Sequence, residues 1–300
     1  MLWKTPVCPA LHAGTSDEVS YEEVKEPAYQ SFELVSGVER EDILRGTLAV
    51  LGNLVLAVTS DEVFRVFTWD GQERCSVRFD TEGGPDVQVC TSSTHCYLAR
   101  DAALRVLDTR LWVARARPWY FDNVITAICC SEESVWVATD HAIYKYDVSG
   151  SVLWTKPPRE RCGIHSMLYC AATNEILTLA RYSIGGSYLE MLDADTWVLA
   201  RSIKLGYNAS SAALHSKYVF VVNDFNNCVM VYHRAGLFAV VPTLDLLHRH
   251  IRITREYHAA IAASETHLLV QEYFERCDML TVYSLDTWTK VECTSKRGQQ

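Results

Sequence analysis

The chain has 300 residues, 49% hydrophobic, 22% charged and 11% aromatic, with 28 basic against 37 acidic side chains and a net charge of −9. That is globular composition with enough apolar residues for a large core, and the acidic balance argues against broad nucleic-acid binding. The longest apolar run, Leu48–Val58, is interrupted by Gly52 and Asn53, short of the roughly 18–20 residues a membrane helix needs, so no membrane insertion is expected.

The first residues, Met1 to Pro6, lack a basic start followed by a continuous apolar stretch, the pattern of a secretory signal. The expected location is intracellular, cytoplasmic or nuclear. Residues 1–42 hold nine acidic and three basic side chains. They read as an acidic N-terminal extension, partly disordered, with the tract Ser16–Glu26 at its centre. Within it, Tyr29–Val35 has the composition of one more strand. Residues 43–300 form the second unit.

That unit repeats. Asp61, Asp101 and Asp140 each follow a short apolar run and precede an apolar–basic alternation, at intervals of 40 and 39 residues. Runs of four to eight residues rich in β-branched and aromatic types surround each one. In the first unit they are Thr47–Leu51, Leu54–Val58, the strand after Asp61, and Glu73–Phe79. The second unit has Val87–Cys90, Cys96–Ala99, the strand after Asp101, and Trp112–Ala116; the third has Ile125–Cys130, Val135–Ala138, the strand after Asp140, and Val152–Thr155. Three further units fit the same template over about 164–205, 208–244 and 257–295. The fourth strand of the fifth unit is expected at Phe238–Val241 and that of the sixth at Thr289–Cys293. Four short antiparallel strands per forty residues predict an all-β fold, a β-propeller of six or seven four-stranded blades. Tyr29–Val35 would either close the ring on the last blade or belong to a seventh.

The pattern Asp-x-x-apolar-basic-apolar followed by a second Asp, clearest in Leu104–Asp108 and Ile143–Asp147, resembles the third strand of a WD40 repeat. The resemblance spans about residues 45–295 and is sharp only in the first three units. It implies a rigid ring that acts through its loops. No unit opens with Gly-His, so the family's His-Asp-Ser/Thr-Trp network has no counterpart. Asp61, Asp101 and Asp140 read as turn caps, short carboxylates accepting backbone N–H bonds.

Function in such a ring resides in what the repeat does not require. After the second unit, two arginines precede three consecutive aromatics: Arg115, Arg117, then Trp119, Tyr120 and Phe121. Arg and aromatic clusters build interface hot spots, so Arg115, Arg117, Trp119 and Tyr120 are candidate partner-binding residues, on a connection expected to share a rim with the three Asp turns. Trp119 and Phe121 also have the character of a wedge between blades. The stretch Thr243–Tyr257 is the most basic in the chain, and Leu244, Leu247 and Ile251 recur at helical spacing, which predicts a short amphipathic helix presenting Arg249 and Arg252 to a partner.

The sequence carries no phosphate-binding glycine loop, zinc-protease helix or nucleophile elbow. No catalytic residue, metal site or cofactor is assigned, and no small-molecule substrate is expected. The eleven cysteines, without a C-x-x-C pair, read as reduced thiols in apolar runs rather than a disulfide framework. The expectation is a non-catalytic scaffold that binds other proteins in a multi-subunit intracellular complex. Two alternatives stand beside it. One is a propeller hydrolase or lyase with its site at the channel mouth, near His165 or His258. The other is a reader of acidic or phosphorylated peptides through Arg249, Arg252 and Arg255.

Overall fold

The computed structural model describes residues 43–59, 63–69, 72–78, 87–115, 117–158, 162–183, 186–224, 228–237, 246–252, 260–274 and 277–288. Among them lie six antiparallel sheets, one per repeat. Blade 1 holds β1 (Ile43–Leu51), β2 (Leu54–Thr59), β3 (Val63–Thr68) and β4 (Glu73–Arg78). Blade 2 holds β5 (Val87–Thr91), β6 (His95–Arg100), β7 (Ala103–Asp108) and β8 (Trp119–Tyr120). Blade 3 holds β9 (Ile125–Cys130), β10 (Ser134–Thr139), β11 (Ile143–Asp147) and β12 (Val152–Lys156). Blade 4 holds β13 (Cys162–Cys170), β14 (Glu175–Tyr182), β15 (Gly186–Asp193) and β16 (Leu199–Lys204). Blade 5 holds β17 (Ala209–Leu214), β18 (Tyr218–Asn223), β19 (Cys228–His233) and β20 (Leu246–Arg252), with a single helical turn α1 (Arg234–Leu237) after β19. Blade 6 holds β21 (Ala260–Ala263), β22 (His267–Phe274) and β23 (Cys277–Ser284).

Within each sheet the strands follow sequence order from the inside outwards. The innermost strands touch in the cyclic order β1, β5, β9, β13, β17, β21 and back to β1. That last contact decides the blade number. Leu48, Val55 and Phe67 of blade 1 share a core with Ala262, Leu269 and Val282 of blade 6, and Trp69 lies against His267, ring centroids 4.7 Å apart. The ring therefore closes with six blades, and no seventh blade stands between the first and the sixth. Tyr29–Val35 and the rest of residues 1–42 lie outside the described residues.

Six separate apolar cores fill the six seams between blades. This explains the sequence pattern strand by strand. A second strand has neighbouring blades on both faces, so β10 is buried at all six positions and reads as a continuous apolar run. An outer strand has one face on a seam and one in water, so β16 alternates half-buried and exposed. Cys96, Cys129, Cys170 and Cys228 are buried as small apolar side chains and, like Cys75, Cys90, Cys130 and Cys162, are free thiols; burial pushes the Cys96 and Cys129 thiols upwards.

Two outer strands differ from expectation. In blade 2 the fourth strand is not Trp112–Ala116. Only Ala114 bridges Leu107 there, and regular pairing resumes with Trp119 on Leu104 and Tyr120 on Ala103. In blade 5 the outer strand is β20, paired on β19 from Tyr232–Leu246 to Cys228–Arg252. The stretch expected to form an amphipathic helix thus contains a strand. The strands expected at Phe238–Val241 and Thr289–Cys293 lie outside the described residues.

Candidate interaction surface

The turns between third and outer strands share one device in the even-numbered blades. The N–H groups of Trp112, Trp197 and Trp288 donate to the carbonyls of Asp108, Asp193 and Ser284, at 2.7, 2.8 and 2.8 Å. All three tryptophans are left-handed, with φ of 53°, 59° and 59°, a conformation that costs a bulky residue free energy. Packing against the preceding blade offsets that cost. Trp112 lies on Phe64, Trp197 on Trp154 and Trp288 on Tyr218, with ring centroids 5.9, 6.1 and 5.2 Å apart.

Carboxylates fix these turns. Asp108 Oδ1 accepts the N–H groups of Arg110 and Leu111, and Asp193 Oδ1 accepts the Thr196 hydroxyl and the N–H groups of Asp195 and Thr196. In blade 3, Asp147 does the same for Ser149 and Ser151. The bonds from Leu111 and Arg110 hold Asp108 below the usual carboxylate range, as the Ser149 hydroxyl and the Ser151 N–H do for Asp147 and those of Thr196 for Asp193. The turn caps are therefore these aspartates. Of the three read from the sequence, Asp61 lies outside the described residues. Asp101 takes a left-handed backbone, φ 49°, in its turn. Asp140 is not the cap of its turn, because the Thr139 hydroxyl takes the N–H groups of His141 and Ala142, at 3.3 and 3.0 Å.

Because each turn is satisfied from within, some of its apolar residues point outwards. Leu111 and Val113 in blade 2 are 74% and 61% exposed, and Val198, which follows Trp197 as Val113 follows Trp112, is 61% exposed. Val152 and Leu153 at the start of β12 are exposed too, as are Tyr120 and Val124. These seven are the exposed large apolar side chains among the described residues, and all lie on blades 2 to 4 or the connection between blades 2 and 3.

The sequence-predicted residues divide. Arg115 reaches into blade 3, where its Nη1 donates to the Val148 carbonyl at 2.8 Å. Its Nη2 donates to His95 Nε2 at 2.7 Å. A guanidinium only donates, so Nε2 is the unprotonated nitrogen and Nδ1–H donates to Thr94 Oγ1, 2.9 Å away. Burial and Arg115 both push the His95 pKa down. Arg115 therefore ties two blades on the rim of the third-to-outer-strand turns, the rim opposite the one expected. Trp119 is half-buried, packing on Tyr97 and Tyr146 at 6.3 and 5.1 Å between ring centroids, and Phe121 meets Tyr144 and Tyr146. Both are wedges between blades 2 and 3. Tyr120 is 74% exposed, and Arg117 is exposed as well. Arg249 and Arg252 sit on β20, Arg252 opposite Cys228; the basic stretch is brought to the outer edge of blade 5, away from Arg117 and Tyr120 on blade 2.

The other rim holds an open cleft of about 700 Å³ across blades 3, 4 and 5, lined by Asp140, Cys162, His165, Arg181, Tyr182 and Asn208 among others. Tyr182 donates its hydroxyl to Glu190 at 2.8 Å. His165 thus stands in a cleft beside the start of inner strand β13, whereas His258 lies outside the described residues. Among the described residues no group of three or more His, Cys, Asp or Glu is placed to hold a metal ion, and no helix is long and apolar enough to cross a membrane.

Leu111 and Val113 escaped the sequence reading. The signal was present in the spacing Asp-x-x-x-Trp at 108 and 193 and Ser-x-x-x-Trp at 284, which marks a closed turn whose intervening residues need not face inwards.

No protein-family model matches the sequence, and no curated protein matches it. Among solved structures, a chain in the crystal structure of the mitotic checkpoint complex is similar over 76% of this chain and 70% of its own, with a TM-score of 0.55 and 11% identity. The computationally designed Ika8 protein is similar over 84% of this chain and 74% of its own, with a TM-score of 0.50 and 13% identity. At such identities the likeness is one of fold, a WD40-like β-propeller.

Proposed function

We propose that this propeller is a non-catalytic interaction platform, a subunit of a larger intracellular protein assembly. The observation that carries the reading is the placement of the exposed apolar side chains. Among the described residues all seven fall between Leu111 and Val198 on blades 2 to 4, five of them (Leu111, Val113, Val152, Leu153 and Val198) beside the third-to-outer-strand turns, and exposed apolar side chains gathered on a rigid scaffold support a protein contact. These turns are joined by physical contacts. Arg115 links the blade 2 turn to Val148, and Lys156 donates to the Thr196 carbonyl in the blade 4 turn. A chain of similar fold occurs in the mitotic checkpoint complex, so the fold is compatible with such a role.

The test is partner recovery by tagged protein from its native cell, wild type against Tyr120→Ala with Val152→Ser. Loss of stoichiometric partners at unchanged melting temperature is the expected result, and undiminished recovery removes this surface from the account. A second reading, a hydrolase or lyase, has the His165 cleft as its observation. It requires turnover that His165→Ala abolishes.

A further inference from the structure

We propose that the outer edge of blade 2, from Arg110 to Tyr120, docks an extended segment of a partner protein in which acidic and apolar side chains alternate. The inference rests on the interaction-platform reading and specifies its site and ligand.

Charge supplies the first argument. Residues 109–121 contain three arginines and no acid, in a chain of net charge −9. Arg110, Arg115 and Arg117 are all exposed. Asp108, which precedes this stretch, is engaged by the backbone of its own turn. Among the described residues Arg110 and Arg117 make no side-chain hydrogen bond or ion pair, Arg110 sensing Asp108 only through its charge, so no described carboxylate occupies either planar fork. Apolar surface supplies the second argument. Leu111, Val113 and Tyr120, interspersed with those arginines, are 74%, 61% and 74% exposed. Apolar anchors flanked by charge give an interface both affinity and register.

The edge is also held ready. Arg115 is fixed by His95 and Val148, and Trp119 is wedged on Tyr97 and Tyr146. The outer ladder is interrupted between Arg115, whose N–H donates to the Val106 carbonyl, and Trp119, where regular pairing resumes. A preformed surface loses little conformational entropy when a ligand binds. Two other outer strands differ, and β12, which does expose Val152 and Leu153, carries no arginine. β4 exposes Glu73, Arg74 and Ser76, and β16 exposes Ala200, Ser202 and Lys204, which are polar or small.

The experiment selects random linear peptides of about twelve residues on the full-length chain and remeasures the enriched sequences on variants. The variants are Arg110→Glu with Arg117→Glu, Leu111→Ser with Val113→Ser, and Arg74→Glu on blade 1 as control. Melting temperatures check that each variant is folded. The expected peptides are acidic with interspersed apolar residues. Their affinity drops at least about tenfold in either blade 2 pair, is unchanged in the control, and weakens as salt rises. Any of four results overturns the proposal: no enrichment, enrichment of basic peptides, affinity that both blade 2 pairs leave intact, or a self-dimer that those pairs abolish. Peptides that bind elsewhere on the ring refute this edge while leaving the platform reading in place. No enrichment together with a solitary chain in cells removes both.

Discussion

The indole of Trp119 covers Gly150 so closely that a Cβ on the glycine would stand 2.9 Å from the ring atoms Cε2 and Cζ2. Trp119 belongs to the outer strand of blade 2 and Gly150 to the last turn of blade 3, where the glycine backbone is left-handed at φ 97°. One contact thus combines an aromatic anchor with a position that excludes a side chain twice over, by space and by backbone.

Gly150→Ala should therefore destabilise the chain by about 1–3 kcal/mol, the range for overpacking a filled site. Trp119→Ala should cost about 2 kcal/mol or more, below the full Trp→Ala range because the ring is half-buried. Tyr120→Ala, one residue on and exposed, should stay within about 0.5 kcal/mol of wild type. Chemical denaturation of the three variants checks the set. Equal losses for Trp119 and Tyr120 would contradict the assignment of one to the seam and the other to the surface.

Trp197 tests the left-handed turns. Glycine relieves a backbone cost of about 1–2 kcal/mol at such a position but forfeits the packing of a large aromatic, about 3–5 kcal/mol. Trp197→Gly should lower stability by about 2 kcal/mol, measured by the same denaturation. A variant as stable as wild type would show that the indole does not hold the seam.

His95 gives the seam between blades 2 and 3 a pH dependence. Its folded pKa is lowered, first by burial and then by Arg115, so the folded state binds the proton less readily than the unfolded chain. The stability it contributes is complete above the unfolded value of about 6.5 and is lost as pH falls through the folded value. Protonation also removes the acceptor at Nε2 that Arg115 uses. Melting temperature should fall between pH 7.5 and 5, and less steeply in His95→Asn. Identical slopes would refute the role.

The capping aspartates act at lower pH. Asp108, Asp147 and Asp193 all have depressed values, so their contribution is present above the unfolded carboxylate range and disappears as acid protonates them. Asp193→Ala should lower the melting temperature at pH 7 and narrow its difference from wild type below about pH 3. A gap that persists unchanged in acid would assign the effect to packing instead.

The second strands were legible in the sequence because blades cover both their faces, so runs such as Val135–Ala138 are apolar throughout, and the third strands because apolar and basic residues alternate after each repeated Asp. Outer strands pair on one side only and leave a weaker trace. Trp112–Ala116 has strand composition, yet Trp112 is consumed by a turn and the strand begins at Trp119. Leu247 and Ile251 suggested a helical face, yet they belong to a strand whose partner, β19, supplies the hydrogen bonds. At the candidate surface, residue type pointed to the right segment but could not separate roles within it. Arg115 and Trp119 join blades 2 and 3, whereas Arg117 and Tyr120 face solvent, and only the fold distinguishes them. Six blades rather than seven likewise depended on the contact between the first and last inner strands.

The most direct test of the platform reading is the size at which the tagged chain migrates when purified gently from its native cell, with mass spectrometry of each fraction. The account predicts a species well above the 33.9 kDa of the chain, containing partners in fixed stoichiometry. Migration alone at the monomer size would contradict it.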